Sequence, residues 1–109
     1  MKFYFHPDAK AEFDSSVDYY EHYQQGLGIR FAEEVYTAIA RIIKYPDAWS
    51  SLSRNSCRCL VNRFPYGVIY QIKHNTLRII AIAHLNRRPG YWKKRLTQGN
   101  PFEEMKELK

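Results

Sequence analysis

The chain has 109 residues, with 17 Lys and Arg against 11 Asp and Glu, which gives a formal net charge of +6. This length is typical of one domain, and 45% hydrophobic residues are too many for a disordered basic tail. No apolar run approaches the roughly 20 residues of a membrane-spanning helix, and residues 1–7 lack the apolar core of a signal peptide. We therefore expect a cytoplasmic, single-domain protein that does not enter a membrane.

Positive charge is concentrated in the second half of the sequence. Residues 1–47 contain five Lys or Arg and eight Asp or Glu, whereas residues 48–102 contain ten Lys or Arg and no acidic residue. Such asymmetry predicts an electrostatic surface for a polyanion or for an acidic protein partner. The simpler interpretation, that the basic residues only keep a small domain soluble, stays open.

One strand and two helices are predicted in the first half. Residues 2–6 are aromatic-rich and end at a proline, which predicts a short strand. Apolar residues then recur every three or four positions, which predicts a helix whose carboxylates, Glu12 among them, lie largely away from the apolar face. Gly26 and Gly28 are expected to end this helix, and a second amphipathic helix runs to Tyr45. Two helices with so short a link form an antiparallel hairpin.

Three strands are predicted in the second half. The serine-rich residues 47–56 are expected to form a loop, and strand-like runs follow at residues 57–64, 68–73 and 77–84. The last run is apolar on both faces, which is typical of a central strand. The order β-α-α-β-β-β predicts an α+β fold in which a helical hairpin packs on a small, mainly antiparallel sheet. A short basic helix or tail is expected at residues 91–96.

Two parts of the sequence carry distinctive motifs in addition to this order of elements. The helical hairpin and the first strand turn contain Asp18-Tyr19-Tyr20, Gly26-Leu27-Gly28-Ile29-Arg30-Phe31, and Arg63-Phe64-Pro65-Tyr66 followed by Val68-Ile69-Tyr70. The last part contains Ala83-His84, then Arg87-Arg88-Pro89-Gly90-Tyr91-Trp92. These motifs resemble the RelE/ParE superfamily of bacterial type II toxins, and most of all its ParE-like branch of plasmid-stabilisation proteins. The resemblance implies one toxin domain at residues 1–96 and a C-terminal extension at residues 97–109.

The function that the resemblance implies is inhibition of bacterial growth. Such toxins need no cofactor and are held inactive by a co-expressed acidic antitoxin, which implies a hetero-oligomer. ParE-like toxins poison DNA gyrase, whereas RelE-like toxins are ribosome-dependent endoribonucleases that cleave mRNA without a metal ion. A third alternative is a non-toxic nucleic-acid-binding module, in which the basic half supplies only salt-dependent binding.

The candidate catalytic residues for mRNA cleavage are Arg63, His84 and Tyr91. Metal-free cleavage requires a base, cations on the scissile phosphate and an acid, and a histidine titrates near neutral pH. The alternative for His84 is a structural role at the end of the last strand. Gly67 and Leu85 occupy positions where RelE-like toxins carry basic residues, and the acid-free half offers no carboxylate base. These gaps favour the ParE-like mechanism and a protein that is not an enzyme, while the nuclease stays open.

The candidate surface for target or antitoxin binding is the basic second half and, above all, residues 87–95, which we call the C-terminal segment. Aromatic rings beside arginines dock on proteins or stack on bases. The alternative for the two aromatic residues is packing against the sheet while the cations are solvated. The candidate binding residues are Arg58, Arg63, Arg87, Arg88, Tyr91, Trp92, Lys93, Lys94 and Arg95.

The two cysteines do not indicate a metal site. Cys57 and Cys59 point to the same side of a strand, but a zinc site requires four ligands at suitable spacing and the four histidines are scattered along the chain. We predict no metal and two unpaired thiols.

Overall fold

Five strands and two helices follow one another as β1-α1-α2-β2-β3-β4-β5 in a computed structural model, which describes residues 1–98. The elements are β1 (Lys2–Phe5), α1 (Pro7–Tyr23), α2 (Leu27–Lys44), β2 (Ser50–Ser53), β3 (Ser56–Leu60), β4 (Tyr66–Lys73) and β5 (Thr76–His84), and a 3₁₀ turn covers Lys93–Leu96. Of the extension expected at residues 97–109, all but the first two residues lie outside the described part. Within that part, neither helix is long and apolar enough to cross a membrane.

The strands form one mixed sheet in the order β1-β5-β4-β3-β2, with β1 parallel to β5 and all other pairs antiparallel. This arrangement confirms the predicted α+β fold and the central position of the last strand. It also contains one strand more than predicted. The expectation that residues 47–56 form only a loop is wrong, because β2 pairs with β3 at the sheet edge. Its four residues are mostly exposed and show no apolar alternation, so its sequence does not mark a strand.

The first predicted strand of the second half is shorter than expected. It begins at residue 56 and ends at Leu60 rather than at residue 64. The chain turns there because Arg63 adopts a positive φ of 70° and the Val61 N–H donates a hydrogen bond to the carbonyl of Tyr66. This turn places Arg63 outside the sheet, on the side of the helical hairpin.

A carboxylate and a glycine hold the two helices together. Glu21 of α1 accepts hydrogen bonds from the backbone N–H groups of Gly26, at 2.9 Å, and Gly28, at 3.1 Å, which satisfies free donors at the start of α2. Gly28 lies inside the first turn of α2, so the prediction that it ends a helix is wrong. A Cβ atom at Gly28 would stand 2.5 Å from the carbonyl oxygen of Val17, so that only glycine permits this approach of the helices.

Both faces of the sheet are covered. The face toward the helices carries the main core, in which Phe5, Phe31 and Tyr70 are among the largest fully buried side chains. On the opposite face, which we call the outer face, Trp92 packs with a small cluster from β4 and β5. β5 has a bulge between Ile79, which pairs with Tyr70, and Ala81, which pairs with Ile69. The bulge allows Ile80 and Ala81 both to face outward, and both belong to this cluster.

Candidate functional site

A groove on the outer face of the sheet collects most of the basic candidate residues. We call this cavity of about 240 Å³ the outer groove. None of the described residues that line it is an Asp or a Glu. Its ionisable side chains with basic character are Arg58, His84, Arg87, Arg88 and Lys93, and its apolar ones include Leu52, Ile69, Ala83 and Trp92. The groove therefore combines positive charge with an apolar floor, which suits a partner that is both acidic and apolar.

Arg58 reaches the outer groove across a glycine of the next strand. Its aliphatic stem lies over Gly67, because a Cβ atom there would stand 2.8 Å from Cδ and 2.9 Å from Cγ of Arg58. Leu60 rather than Arg58 pairs with Gly67 in the register of β3 and β4, so the contact is diagonal. Gly67 stands where RelE-like toxins carry a basic residue, and in the structure Arg58 of β3 places its side chain over that position.

The C-terminal segment is anchored by its aromatic side chains. Trp92 is only 5% exposed and belongs to the outer-face cluster, so it packs against the sheet. The guanidinium of Arg87 lies 4.0 Å from the centroid of the Tyr91 ring and that of Arg95 lies 5.2 Å from it. Both are cation-π distances. The segment thus presents an arginine on a fixed aromatic platform.

Glu12 of α1 is the central residue of this anchor. Its Oε2 accepts a hydrogen bond from the Tyr91 hydroxyl at 2.7 Å, and its two oxygens receive both terminal nitrogens of Arg95 at 2.9 and 3.1 Å. Oε1 also accepts from the Ile82 N–H at 3.1 Å. Burial and the hydrogen bond to Glu12 raise the pKa of Tyr91, so its hydroxyl keeps its proton and is a weaker acid than a free tyrosine.

Sequence reasoning does not single out Glu12. It treats the carboxylates of the first helix as a polar face and finds no carboxylate near the basic half. The spacing does contain a signal, since Glu12 lies three residues after the buried Ala9 and directly before the buried Phe13, hence at the border of the apolar stripe. This position in the sequence does not, however, identify Arg95 and Tyr91 as the partners of the carboxylate.

His84 lies at the end of β5 between the outer groove and a second cavity. We call the latter the lateral cleft; its volume is about 310 Å³ and its lining includes Glu12, Ser16, Tyr66 and Arg87. The imidazole ring packs edge-on against Tyr66 at 5.0 Å. Its Nδ1 stands 3.0 Å from the Asn86 N–H and accepts that hydrogen bond, which assigns the proton of the neutral ring to Nε2. The lone pair that a general base would use is therefore occupied.

Arg63 does not join His84 and Tyr91. Its side chain is 80% exposed, and its Nε lies 3.9 Å from a carboxylate oxygen of Glu34 on α2. It lines a separate cavity between the helical hairpin and the turn before β4, together with Tyr20 and Phe64. The three candidate residues for mRNA cleavage are thus divided between two places of the surface.

The remaining candidate residues differ in their surroundings. Lys94 is exposed on the 3₁₀ turn and does not line the outer groove, whereas the Arg95 side chain is only 13% exposed in its ion pair with Glu12. Cys57 is half-buried and Cys59 is buried, both as free thiols, and burial raises the pKa of Cys59. Within residues 1–98, no three His, Cys, Asp or Glu side chains are arranged as metal ligands.

One comparison with known proteins identifies a family, and a second finds a similar fold. Residues 3–89 match the profile of a family described as the ParE toxin of the type II toxin-antitoxin system, parDE. The fold is similar to a solved structure of the chromosomal ParDE TA system from P. aeruginosa, with a TM-score of 0.67 and 14% identity over 77% of this chain and 95% of that chain. At this identity, the second similarity concerns the fold alone. No curated protein matches the sequence at a significant level.

Proposed function

The chain belongs to the ParE toxin family of type II toxin-antitoxin systems, and on this premise we propose that it inhibits bacterial growth by poisoning DNA gyrase. The observation that carries the choice of gyrase over mRNA is that Arg63 lies apart from His84 and Tyr91, whose ring lone pair and hydroxyl, respectively, already have hydrogen-bond partners. Arg63 lies by Glu34, the His84 lone pair accepts a backbone N–H, and the Tyr91 hydroxyl is bound to Glu12. A nuclease requires its base, acid and phosphate-binding cation around one scissile bond.

The outer groove and the adjoining C-terminal segment are the surface that we assign to binding. Arg58, Arg87, Arg88 and Lys93 face a cavity that also exposes the apolar floor. A surface on which all charges are positive attracts acidic partners and accelerates their association with the toxin. The same surface suits the acidic segment of a cognate antitoxin, and we propose that antitoxin binding there neutralises the toxin in a hetero-oligomer in the cytoplasm.

A pair of assays run side by side tests the proposal. Purified toxin is titrated into a supercoiling reaction with gyrase and, separately, into a cell-free translation reaction whose mRNA is mapped for cleavage. We expect loss of supercoiling and accumulation of cleaved DNA covalently trapped on gyrase, with intact mRNA. Arg87→Ala together with Arg88→Ala is expected to weaken gyrase poisoning, whereas Arg30→Ala together with Lys44→Ala, which removes the same charge from α2, should leave it unchanged.

Three outcomes would contradict the proposal. Normal gyrase activity with ribosome-dependent mRNA cleavage would establish the RelE-like alternative, and in that case His84→Ala with Tyr91→Ala should abolish toxicity. Normal gyrase activity and intact mRNA, with growth arrest on induced expression, would require another target. Absence of growth arrest would leave a non-toxic nucleic-acid-binding module.

A further inference from the structure

Half of one edge of β5 has no strand partner among the described residues. The parallel strand β1 pairs only with residues 76–79 of β5, although β5 continues to His84. Beyond this point, side chains take the place of the missing strand. Glu12 accepts the N–H of Ile82 at 3.1 Å, and Nη1 of Arg95 donates to the carbonyl of Ile80 at 3.1 Å. The ion pair of Glu12 and Arg95 therefore continues the hydrogen bonding of the sheet.

This ion pair is well satisfied and shielded from water. The Glu12 and Arg95 side chains are only 16% and 13% exposed, and a second carboxylate, that of Asp8, lies 3.7 Å from Nε of Arg95. Paired nitrogens on paired oxygens give such a contact a defined geometry as well as strength. The carboxylate of Glu12 consequently has one orientation, and Tyr91 donates its hydroxyl to it in that orientation.

The fixed tyrosine determines where a cation stands. The Arg87 guanidinium stacks on the Tyr91 ring at 4.0 Å, and Arg87 is the arginine that lines both the outer groove and the lateral cleft. Arginine has a long side chain with many rotamers, and stacking on a planar ring selects among them. Glu12, Tyr91 and Arg87 thus form a chain of contacts from α1 to the binding surface.

We infer that Glu12 is a positioning residue for the binding surface: it orients Tyr91, and Tyr91 holds the Arg87 guanidinium at the junction of the outer groove and the lateral cleft. Glu12 acts through these two side chains and does not contact the target itself. The inference deepens the proposed function and rests on it only for the role of Arg87 in binding the target. The position of the guanidinium is a property of the toxin alone.

A double-mutant cycle tests this chain of contacts. We expect Glu12→Gln to raise the toxin concentration for half-maximal gyrase poisoning roughly tenfold, but less than about twofold when Arg87→Ala is already present, since coupled residues are not additive. Ile39→Ala, which leaves a cavity in the main core, is a control whose loss of stability is comparable with that of breaking a buried ion pair, and we expect it to cause no loss of potency. Additive effects of Glu12→Gln and Arg87→Ala would overturn the inference.

A spectroscopic measurement tests the position of Arg87 without any target. Protons of Arg87 above the Tyr91 ring should show a ring-current shift in NMR spectra of the wild-type toxin, and Glu12→Gln should abolish it. Tyr91→Phe removes only the hydrogen bond to Glu12 and keeps the buried ion pair, so it serves if Glu12→Gln does not fold, and it should reduce the same shift. An unchanged shift in the folded variant would refute the inference. If wild-type toxin does not change gyrase activity, the proposed function fails. The NMR result still shows whether Glu12 positions Arg87.

Discussion

At Gly67, the absence of a side chain brings a cation from the neighbouring strand into the outer groove. The stem of Arg58 occupies the space that a Cβ atom would need. The guanidinium can therefore lie among the other groove cations although the residue belongs to β3. A sequence comparison position by position finds a glycine where a charge is expected, because it cannot anticipate a diagonal contact between strands.

We predict that Gly67→Ala weakens binding to gyrase or antitoxin about as much as Arg58→Ala does. The new methyl group would stand 2.8 Å from Arg58 Cδ, and a flexible side chain yields to it by swinging out of the groove. The free energy of unfolding should change by less than about 1 kcal/mol, because alanine suits an extended backbone better than glycine. Titration calorimetry of both variants and of their combination measures the effect, and a further loss of affinity on adding Gly67→Ala to Arg58→Ala would contradict it.

Single residues of the surface are partly predictable from the sequence. Arg87, Arg88 and Tyr91 stand in one short segment, so their proximity follows from the chain. Glu12 and Arg95 are 83 residues apart, and their contact depends on α1 crossing the open half of β5. Long-range pairing of charged side chains has no local pattern, which is why the carboxylate beside the basic segment is visible only in the folded chain.

The helices are the elements that the sequence predicts best. Their apolar residues recur with the helical period, and α1 begins and α2 ends within one residue of the predicted positions. The edge strand β2 lacks such a pattern, since its SSLS sequence has one apolar residue and its pairing with β3 depends on a hairpin turn. A strand at the edge of a sheet buries few side chains, so its sequence has no alternation of apolar and polar residues from which the strand could be predicted.

The close approach of the two helices predicts a large effect of one methyl group. In Gly28→Ala, the new Cβ would stand 2.5 Å from the Val17 carbonyl oxygen, and backbone cannot swing aside as a side chain does. Alanine gains about 1 kcal/mol of helix propensity over glycine, but overpacking costs about 1–3 kcal/mol and the separated helices would also strain the hydrogen bond from Gly28 to Glu21. We expect urea unfolding to show a net loss of about 1–2 kcal/mol.

The matched control for this substitution is Thr37→Ala, at an exposed position of the same helix. It gains helix propensity without a new contact, so its stability should rise by a few tenths of a kcal/mol. If Gly28→Ala were as stable as the wild type, the helices would have to separate at no cost, and the tight packing at Gly28 would not contribute to stability.

The whole molecule divides its charge between two sides. The helical hairpin carries most of the acidic residues in residues 1–47, while the strands, their turns and the C-terminal segment supply the ten cations of residues 48–102. Of these ten, Arg63 lies beside Glu34 of the helical hairpin and Arg95 is neutralised by Glu12. By contrast, Arg87, Arg88 and Lys93 are exposed at the outer groove. The charge difference between the two halves of the sequence therefore becomes, in the fold, a difference between the side of the helices and the outer face of the sheet. An acidic partner should therefore approach the face opposite the helices.

Removing Arg87, Arg88 and Lys93 as a triple alanine variant is expected to weaken the antitoxin complex roughly tenfold at low ionic strength, chiefly through slower association, because exposed charges steer encounter. The affinity should also become less sensitive to salt, since exposed charges are screened within about 10 Å at 0.1 M. Stopped-flow association and equilibrium binding between about 0.05 and 0.5 M salt measure both effects. A triple alanine variant at Arg30, Lys44 and Lys73 removes the same charge away from the groove and should bind with nearly wild-type salt dependence. If the two triple variants lost affinity equally, net charge rather than the outer groove would govern the complex.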